Sequence, residues 1–257
     1  MVIPVRRFNT GISCPRSLNR WRLLAPDFPG FGYSDTPEGF LYDFDGYTDF
    51  LDRFVSALQI RHFAIYLHDY GSQIGLRLAI KAPERIQALI IQNGDIYEDT
   101  LGPKYEYLKK YWDDPTPDMR RKLVEAVSEE GFRDEFVDGL ADGLVGRVPP
   151  DLWKLHWSLM TERRRKIMVG LMEGLKANLE WFPRYQAYLR EHRRPTLICC
   201  WGPQDGYMPE PSARAYLRDL PDAELHFVNG GHWVLETSLD EVVPLIRNFL
   251  ERSVCEP

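Results

Sequence analysis

The run Leu67-His68-Asp69-Tyr70-Gly71-Ser72-Gln73-Ile74-Gly75 constrains this chain more than any other stretch. The apolar Phe63-Ala64-Ile65-Tyr66-Leu67 before it reads as a buried parallel strand, and Leu76 to Lys81 after it reads as a helix. A strand, a sharp turn and a helix therefore meet at one acidic residue. Such an elbow lifts a single side chain above the sheet and demands little bulk two positions away, because the backbone nearly touches itself there. Centred on Ser72, those positions are Tyr70 and Ile74, both too large; centred on Asp69 they are Leu67 and Gly71. Asp69 is the better centre. The alternative, an aspartate that merely caps the helix beginning near Gly71, needs nothing from the rest of the chain.

Three more segments suit the same architecture. Trp21 to Asp35 reads as a strand that runs into a Pro- and Gly-punctuated loop, Pro26-Asp27-Phe28-Pro29-Gly30-Phe31-Gly32-Tyr33-Ser34. Pro195 to Gly202 reads as a second buried strand, with Asp205 in the loop after it. Glu224 to Val228 reads as a third, followed by Gly230-Gly231-His232-Trp233. In a doubly wound sheet, loops at the carboxyl ends of strands gather at one edge. The order carboxylate, acid, histidine along the chain is that of a nucleophile, an orienting acid and a base.

With these four segments in order, the chain resembles the α/β-hydrolase superfamily, and its elbow resembles the branch of haloalkane dehalogenases, epoxide hydrolases and haloacetate dehalogenases. Members of that branch carry His-Asp-Trp-Gly or His-Asp-Tyr-Gly where this chain has His68-Asp69-Tyr70-Gly71. The resemblance spans about residues 18–252 by the motif order. It implies an α/β fold with a mostly parallel central sheet, a core of residues 1–94 and 195–257, and a helical cap or lid of residues 95–194. It also implies that Asp69 attacks an electrophilic carbon, that His232 activates water against the resulting ester, and that Asp205 orients His232. Asp205 beside Gly206 is also an ordinary turn pair, and Asp95 or Glu98 could instead supply the acid.

Tyr70, Phe28, Trp181 and Trp233 are the candidate substrate contacts. Branch members with haloalkane substrates carry Trp beside the nucleophile, and those with haloacetate substrates carry Arg. Tyr70 therefore points to a small neutral electrophile, an epoxide ahead of an alkyl halide. Cap helices are predicted over Tyr105–Trp112, Pro117–Val127, Leu152–Met160 and Arg163–Arg190. Which of Tyr97, Tyr107, Trp153, Trp157, Trp181, Tyr185 and Tyr188 reaches the site stays open. After His232, Leu239, Val242, Val243, Leu245, Ile246, Phe249 and Leu250 recur at helical spacing and predict a closing helix.

The amino-terminal stretch departs from the family. Met1 to Val5 can form a short strand, but Arg6 to Arg20 holds no His-Gly loop of the kind that supplies an oxyanion donor. The expectation is an N-terminally shortened hydrolase with a gap between the Trp21 and Phe63 strands, unless those strands pair directly. Each buried unpaired backbone group would cost ~1–3 kcal/mol. A second reading follows: a catalytically impaired relative that binds small apolar ligands without turnover. The basic bias of residues 1–26 also suits a transit peptide, although Trp21 onward is needed as a strand.

Composition narrows the remaining classes. With 257 residues, 44% of them apolar, the chain can bury one core plus an inserted cap. A net charge of −6 argues against nucleic acid as a partner, and Arg163-Arg164-Arg165-Lys166 reads as a solvated helix face. The four cysteines show neither metal spacing nor a disulfide framework, so no metal or cofactor is expected, and a reducing, cytoplasmic location is. No stretch is apolar enough to span a membrane, which leaves a small-molecule substrate as the expected partner.

Overall fold

A computed structural model describes residues 21–254. Four parallel strands, β1 (Phe63–His68), β2 (Ile86–Gln92), β3 (Thr196–Trp201) and β4 (Glu224–Phe227), lie in the order β1-β2-β3-β4. The register aligns Ala64 with Ala88 and His68 with Gln92, so the ends of β1 and β2 lie side by side. Side chains alternate across the strands. Ala64, Tyr66, Ala88, Ile90 and Leu197 face one apolar layer, while Phe63, Ile65, Leu67, Leu89, Ile91 and Ile198 face the other. Both faces are covered, which is why these strands read as unbroken apolar runs.

Helix α1 (Phe44–Ala57) and helix α2 (Tyr70–Lys81) pack together, and α2 also packs on β1. Between β2 and β3 the chain leaves the sheet for seven helices: α3 (Tyr105–Asp113), α4 (Pro117–Ala126), α5 (Glu129–Val137), α6 (Asp142–Val145), α7 (Asp151–Ser158), α8 (Glu162–Leu179) and α9 (Phe182–His192). After β3 come α10 (Glu210–Ala215), α11 (Val234–Thr237) and α12 (Leu239–Ser253). Helix α12 lays Val242, Ile246, Phe249 and Leu250 against the second face, as its spacing predicts.

Several expectations need correction. The strand expected from Trp21 into the loop at Pro26 does not form; only Leu24 makes a bridge. The stretch keeps a strand's alternation, with Trp21, Leu23 and Ala25 against one face and Leu24 against the other. Pro26 has no N–H to extend a ladder, and Asp27 turns its bonding groups inward. Its carboxylate accepts from Tyr33 N (3.0 Å) and its carbonyl from Ser34 Oγ (2.6 Å). Gly32, at φ +52°, has no room for a Cβ against Asp27. The single helix predicted over Arg163–Arg190 is two, α8 and α9, because Pro183 near the start of α9 cannot continue a helix. The solvated face expected at Arg163–Lys166 is contradicted at Arg164. That guanidinium bonds the Gly32 and Ser34 carbonyls (2.8 and 2.5 Å) and Thr36 Oγ1 (3.0 Å), clamping the Phe28–Thr36 loop to α8.

The predicted strand at Met1–Val5, the Arg6–Arg20 stretch without a His-Gly loop, and the central gap they imply lie outside the described residues. Within them, β1 is buried along its length and pairs with β2. No helix among the described residues is long and apolar enough to cross a membrane.

Candidate active site

Asp69 is the last residue before α2, and its backbone sits at φ 48°, ψ −130°. A side chain in this region of the map is strained, by about 1–3 kcal/mol, and persists only where the surroundings over-determine it. They do so here. Asp69 N donates to Asn93 O (3.0 Å), and Ser72 N donates to Asp69 O (2.9 Å). Helix α2 lies so close to β1 that a Cβ on Gly75 would overlap Leu67 and crowd Ile65. The rival elbow centre, Ser72, is fully buried within α2, and its hydroxyl does not line the cavity.

Asp69 opens into a cavity of about 130 Å³, which Asp205 and His232 also line. Asp205 follows β3, and its Oδ2 accepts from His232 Nδ1 at 2.8 Å. The other oxygen of Asp205 accepts from Tyr207 N (2.7 Å). Asn93, at the end of β2, donates to Asp205 Oδ2 (2.9 Å) and exchanges hydrogen bonds with the backbone of Gly202 at 3.1 Å each. The backbone of His232 is held in turn. Its carbonyl meets His68 Nε2 and Gln92 Nε2, both at 3.0 Å, and Tyr66 OH secures Gln92. Gly202 has no room for a Cβ against Gly230 and Gly231, so the loops of the acid and the histidine touch through backbone. The alternative acids are engaged elsewhere: Asp95 bonds Tyr105 and Gln73, and Glu98 sits in a short 3-10 turn.

The charges in the site are mutually set. Burial opposes a charged His232, but the carboxylates of Asp205 and Asp69, with the hydrogen bond to Asp205, push its pKa up to about 9. Burial likewise opposes ionisation of Asp205. The charge and hydrogen bond of His232, the Tyr207 N–H and the Asn93 amide nonetheless hold Asp205 below the usual carboxylate range. Burial and the neighbouring His232 drive His68 well below the usual imidazole range, so it is neutral. Among the described residues, no group of three or more His, Cys, Asp or Glu side chains is placed to hold a metal ion.

Tyr70, Phe28 and Trp233 line the cavity; Trp181 does not. Its indole stacks on Tyr185 (6.0 Å, 25°) and carries the guanidinium groups of Arg184 (4.6 Å), both from the helix it caps, and of Arg77 (4.3 Å) from α2, so packing takes up the ring. None of Tyr97, Tyr107, Trp153, Trp157, Tyr185 and Tyr188 lines the cavity either. The tyrosines that do, beyond Tyr70 and Tyr47, are Tyr105 at the start of α3 and Tyr207 beside Asp205, with rings 5.7 Å apart and edge to face. Adjacency to Asp205 was a usable signal for Tyr207; Tyr105 had none, since its place depends on how α3 docks. Much of the cavity wall is apolar, with Phe31, Phe44, Met168, Leu171 and Leu175 among its lining.

Comparison with known proteins agrees with this fold. The family model described as alpha/beta hydrolase fold matches residues 11–239, and the chain belongs to that family. It is 31% identical over 230 residues to an uncharacterized hydrolase of Saccharomyces cerevisiae, covering 87% of this chain and 78% of the relative. It is 25% identical to the cis-3-alkyl-4-alkyloxetan-2-one decarboxylase of Shewanella oneidensis, covering 89% of this chain and 73% of that protein. Among solved structures, a variant of haloalkane dehalogenase DatA from Agrobacterium tumefaciens superposes with a TM-score of 0.77 at 18% identity, covering 98% of this chain and 89% of the other. A variant of the meta-cleavage product hydrolase CumD from Pseudomonas fluorescens does so with a TM-score of 0.70 at 19% identity, with the same coverage. These two likenesses show the fold.

Proposed function

We propose that this α/β-fold hydrolase acts on a small neutral electrophile, an epoxide or an alkyl halide, with Asp69 as nucleophile. The observation that carries this reading is the carboxylate at the strained elbow, inside the cavity that also holds the His232–Asp205 pair. An Asp69 oxygen attacks the electrophilic carbon; the new C–O bond forms as the bond to halide or epoxide oxygen breaks, and its electrons leave with that atom. A water then attacks the ester carbonyl carbon of Asp69, giving its proton to His232, and the alcohol departs as the carboxylate is restored.

The electrostatics suit that order. While Asp69 is ionised it helps hold a proton on His232. Esterification removes that charge and lowers the proton affinity of the imidazole toward the step that needs a base, while the larger influence of Asp205 stays. Asp205 orients the ring, and the Tyr70 N–H at the amino end of α2 is placed to stabilise the oxyanion. Residues 95–194 act as the cap, since Leu108, Met168, Leu171 and Leu175 are among the apolar lining. Glu135 and Asp138 also line the cavity, with Lys104 paired to Asp138 (2.7 Å), a balance that disfavours anionic substrates.

The test is intact-protein mass spectrometry of the His232→Gln variant after incubation with a panel of epoxides and haloalkanes. Attack proceeds in this variant but ester hydrolysis stalls, so an added mass that maps to Asp69 is expected. Folded protein that forms no adduct with any member would overturn the reading.

A further inference from the structure

One buried carboxylate has no part in that mechanism. Asp95 lies four-hundredths exposed beyond the end of β2, with Asp69 close enough to raise its proton affinity. Its Oδ2 accepts the hydroxyl of Tyr105 at 2.5 Å, and its Oδ1 accepts Gln73 Nε2 at 3.1 Å. Gln73 Nε2 also donates to the Asp95 carbonyl (2.7 Å), so the amide is fixed with its nitrogen toward Asp95 while its own buried oxygen has no hydrogen-bond partner. The arrangement presents a donor to one carboxyl oxygen and the phenol to the other. Tyr105 lines the cavity that Asp69 also lines, and feels the Asp69 charge.

A phenol has one proton and can aim it one way at a time. We propose that Asp95 is a positioning residue that sets which way the Tyr105 hydroxyl points. Ionised, Asp95 accepts the hydrogen bond of the phenolic O–H, which stays on the phenol and leaves only oxygen lone pairs for any other partner. Protonated, it donates to the phenol oxygen and frees the phenolic proton for the substrate's leaving oxygen. The change needs one proton from cavity water and no other reactant. That proton adds to the phenol oxygen as the original phenolic proton passes to Asp95 Oδ2, and the phenol stays neutral throughout.

The groups around Asp95 allow this exchange. Tyr105, Asp69, Tyr185 and Tyr216 are the titratable side chains that feel its charge, and Arg77 is reached only through the Tyr185 hydroxyl, at 2.9 Å. Burial is the largest influence on Asp95 and the Tyr105 hydrogen bond opposes it; with the Asp69 charge adding to burial, the balance stands at about 6. The phenols of Tyr105 and Tyr216 are driven well above their ordinary range by burial, and that of Tyr185 is pushed up to about 12, so none of the three ionises in its place. The phenol is therefore an acceptor toward the cavity above about pH 6 and a donor below it.

The consequence for the reaction rests on the proposed Asp69 chemistry; the switch itself does not. Its test has two arms, both on the full chain. The first is an infrared pH titration of the carboxylic acid C=O band, in wild type minus Asp95→Asn. A band that titrates near 6 is expected, and its midpoint rises in Tyr105→Phe, because the phenol's hydrogen bond favours the ionised form. Glu236, pushed up to about 7 by burial, contributes to both spectra and cancels. No such band, or a midpoint that Tyr105→Phe leaves in place, would overturn the switch.

The second arm follows styrene oxide adduct formation against pH in the His232→Gln background. In Asp95→Asn the amide oxygen faces Gln73, so its nitrogen faces Tyr105 and holds the phenolic proton toward the cavity at every pH. The adduct rate is expected to fall on the order of a hundredfold as pH rises through the midpoint, the size of losing one oxyanion donor. It stays high and flat in the Asp95→Asn variant and low and flat with Tyr105→Phe. A shared pH profile in all three would overturn the proposal. A band that behaves as expected with no adduct in any variant would uphold the switch and sink the Asp69 reading instead.

Discussion

Helix α2, directly after the elbow, buries every residue from Gly71 to Ala79, whereas α4, in the helical segment between β2 and β3, buries Leu123 alone. The site side of the molecule is held by backbone. Asp69 is tied to Asn93 through main-chain groups, Gly75 packs α2 onto β1, and Gly202 meets Gly231. The helical segment meets the core through main chain only near its start, where Gly102 N donates to Tyr207 O (2.7 Å) and Lys104 N to Gly206 O (3.0 Å), and beyond that through side chains. Arg77, 6% exposed, reaches from α2 to Asn178 Oδ1 (2.5 Å) and the Tyr185 hydroxyl (2.9 Å), and Arg164 reaches back to the Phe28–Thr36 loop. A site that must hold a strained carboxylate gains from rigid backbone contact, while a wall that shapes a cavity can be attached by anchors and opened by losing them.

The comparison can be broken most sharply at the triad. Asp205→Asn should slow ester hydrolysis on the order of ten-thousandfold, since the imidazole loses its orienting acceptor and its charged partner. Stopped-flow turnover measures it, and a loss under tenfold would mean that the acid lies elsewhere. The same variant should lower the His232 pKa from about 9, read by NMR titration of the ring. Because the folded-state value is raised, the stability that protonated His232 adds beside ionised Asp205 is complete below the unfolded-state pKa of about 6.5 and is lost as pH rises through about 9. At the acid end it is lost as Asp205, held below the usual carboxylate range, takes a proton. Wild-type stability should therefore fall between about pH 6.5 and about 9, and that fall should shrink in Asp205→Asn.

Gly75→Ala should cost about 1–3 kcal/mol in denaturant unfolding, because the added methyl overlaps Leu67 in a core with no slack. Arg77→Met should cost about 1.5–3 kcal/mol, the worth of hydrogen bonds to one charged group. Hydrogen exchange in that variant should quicken across α8 and α9 and leave β1 and β2 unchanged; equal loosening of the sheet would erase the distinction drawn above. The smallest effect, of opposite sign, belongs to Gly174→Ala. This position lies inside α8 with open space around it, so removing glycine's backbone freedom should stabilise by about 0.5–1 kcal/mol.

The reading of the elbow at Asp69, of β1, β3 and β4, and of the closing helix rested on local pattern, and the structure has those elements where local pattern placed them. Trp21–Asp27 misled for a local reason too. Its apolar alternation is genuine, but ladder bonding is not encoded in alternation, and Pro26 and Asp27 divert it. Trp181 reads as a cap aromatic that meets substrate; whether such a ring meets ligand or neighbour depends on Arg77, which reaches it from α2, as well as on Arg184 one turn along its own helix. Helix α5 carried too short a pattern to be singled out, yet it brings Glu135 to the cavity.

By itself, the sequence determined where a carboxylate stands between strand and helix, and in what order an acid and a histidine follow it. Those features depend on near neighbours along the chain: steric room beside Asp69, strand periodicity, and glycines where backbones meet. Only the tertiary structure decided which acid His232 takes, that Arg164 is a clamp, and that Tyr105, bonded to Asp95, lines the cavity. These depend on contacts between residues far apart in the chain, such as Asp205 with Asn93 and Arg164 with Gly32, and nothing in local spacing carries that information.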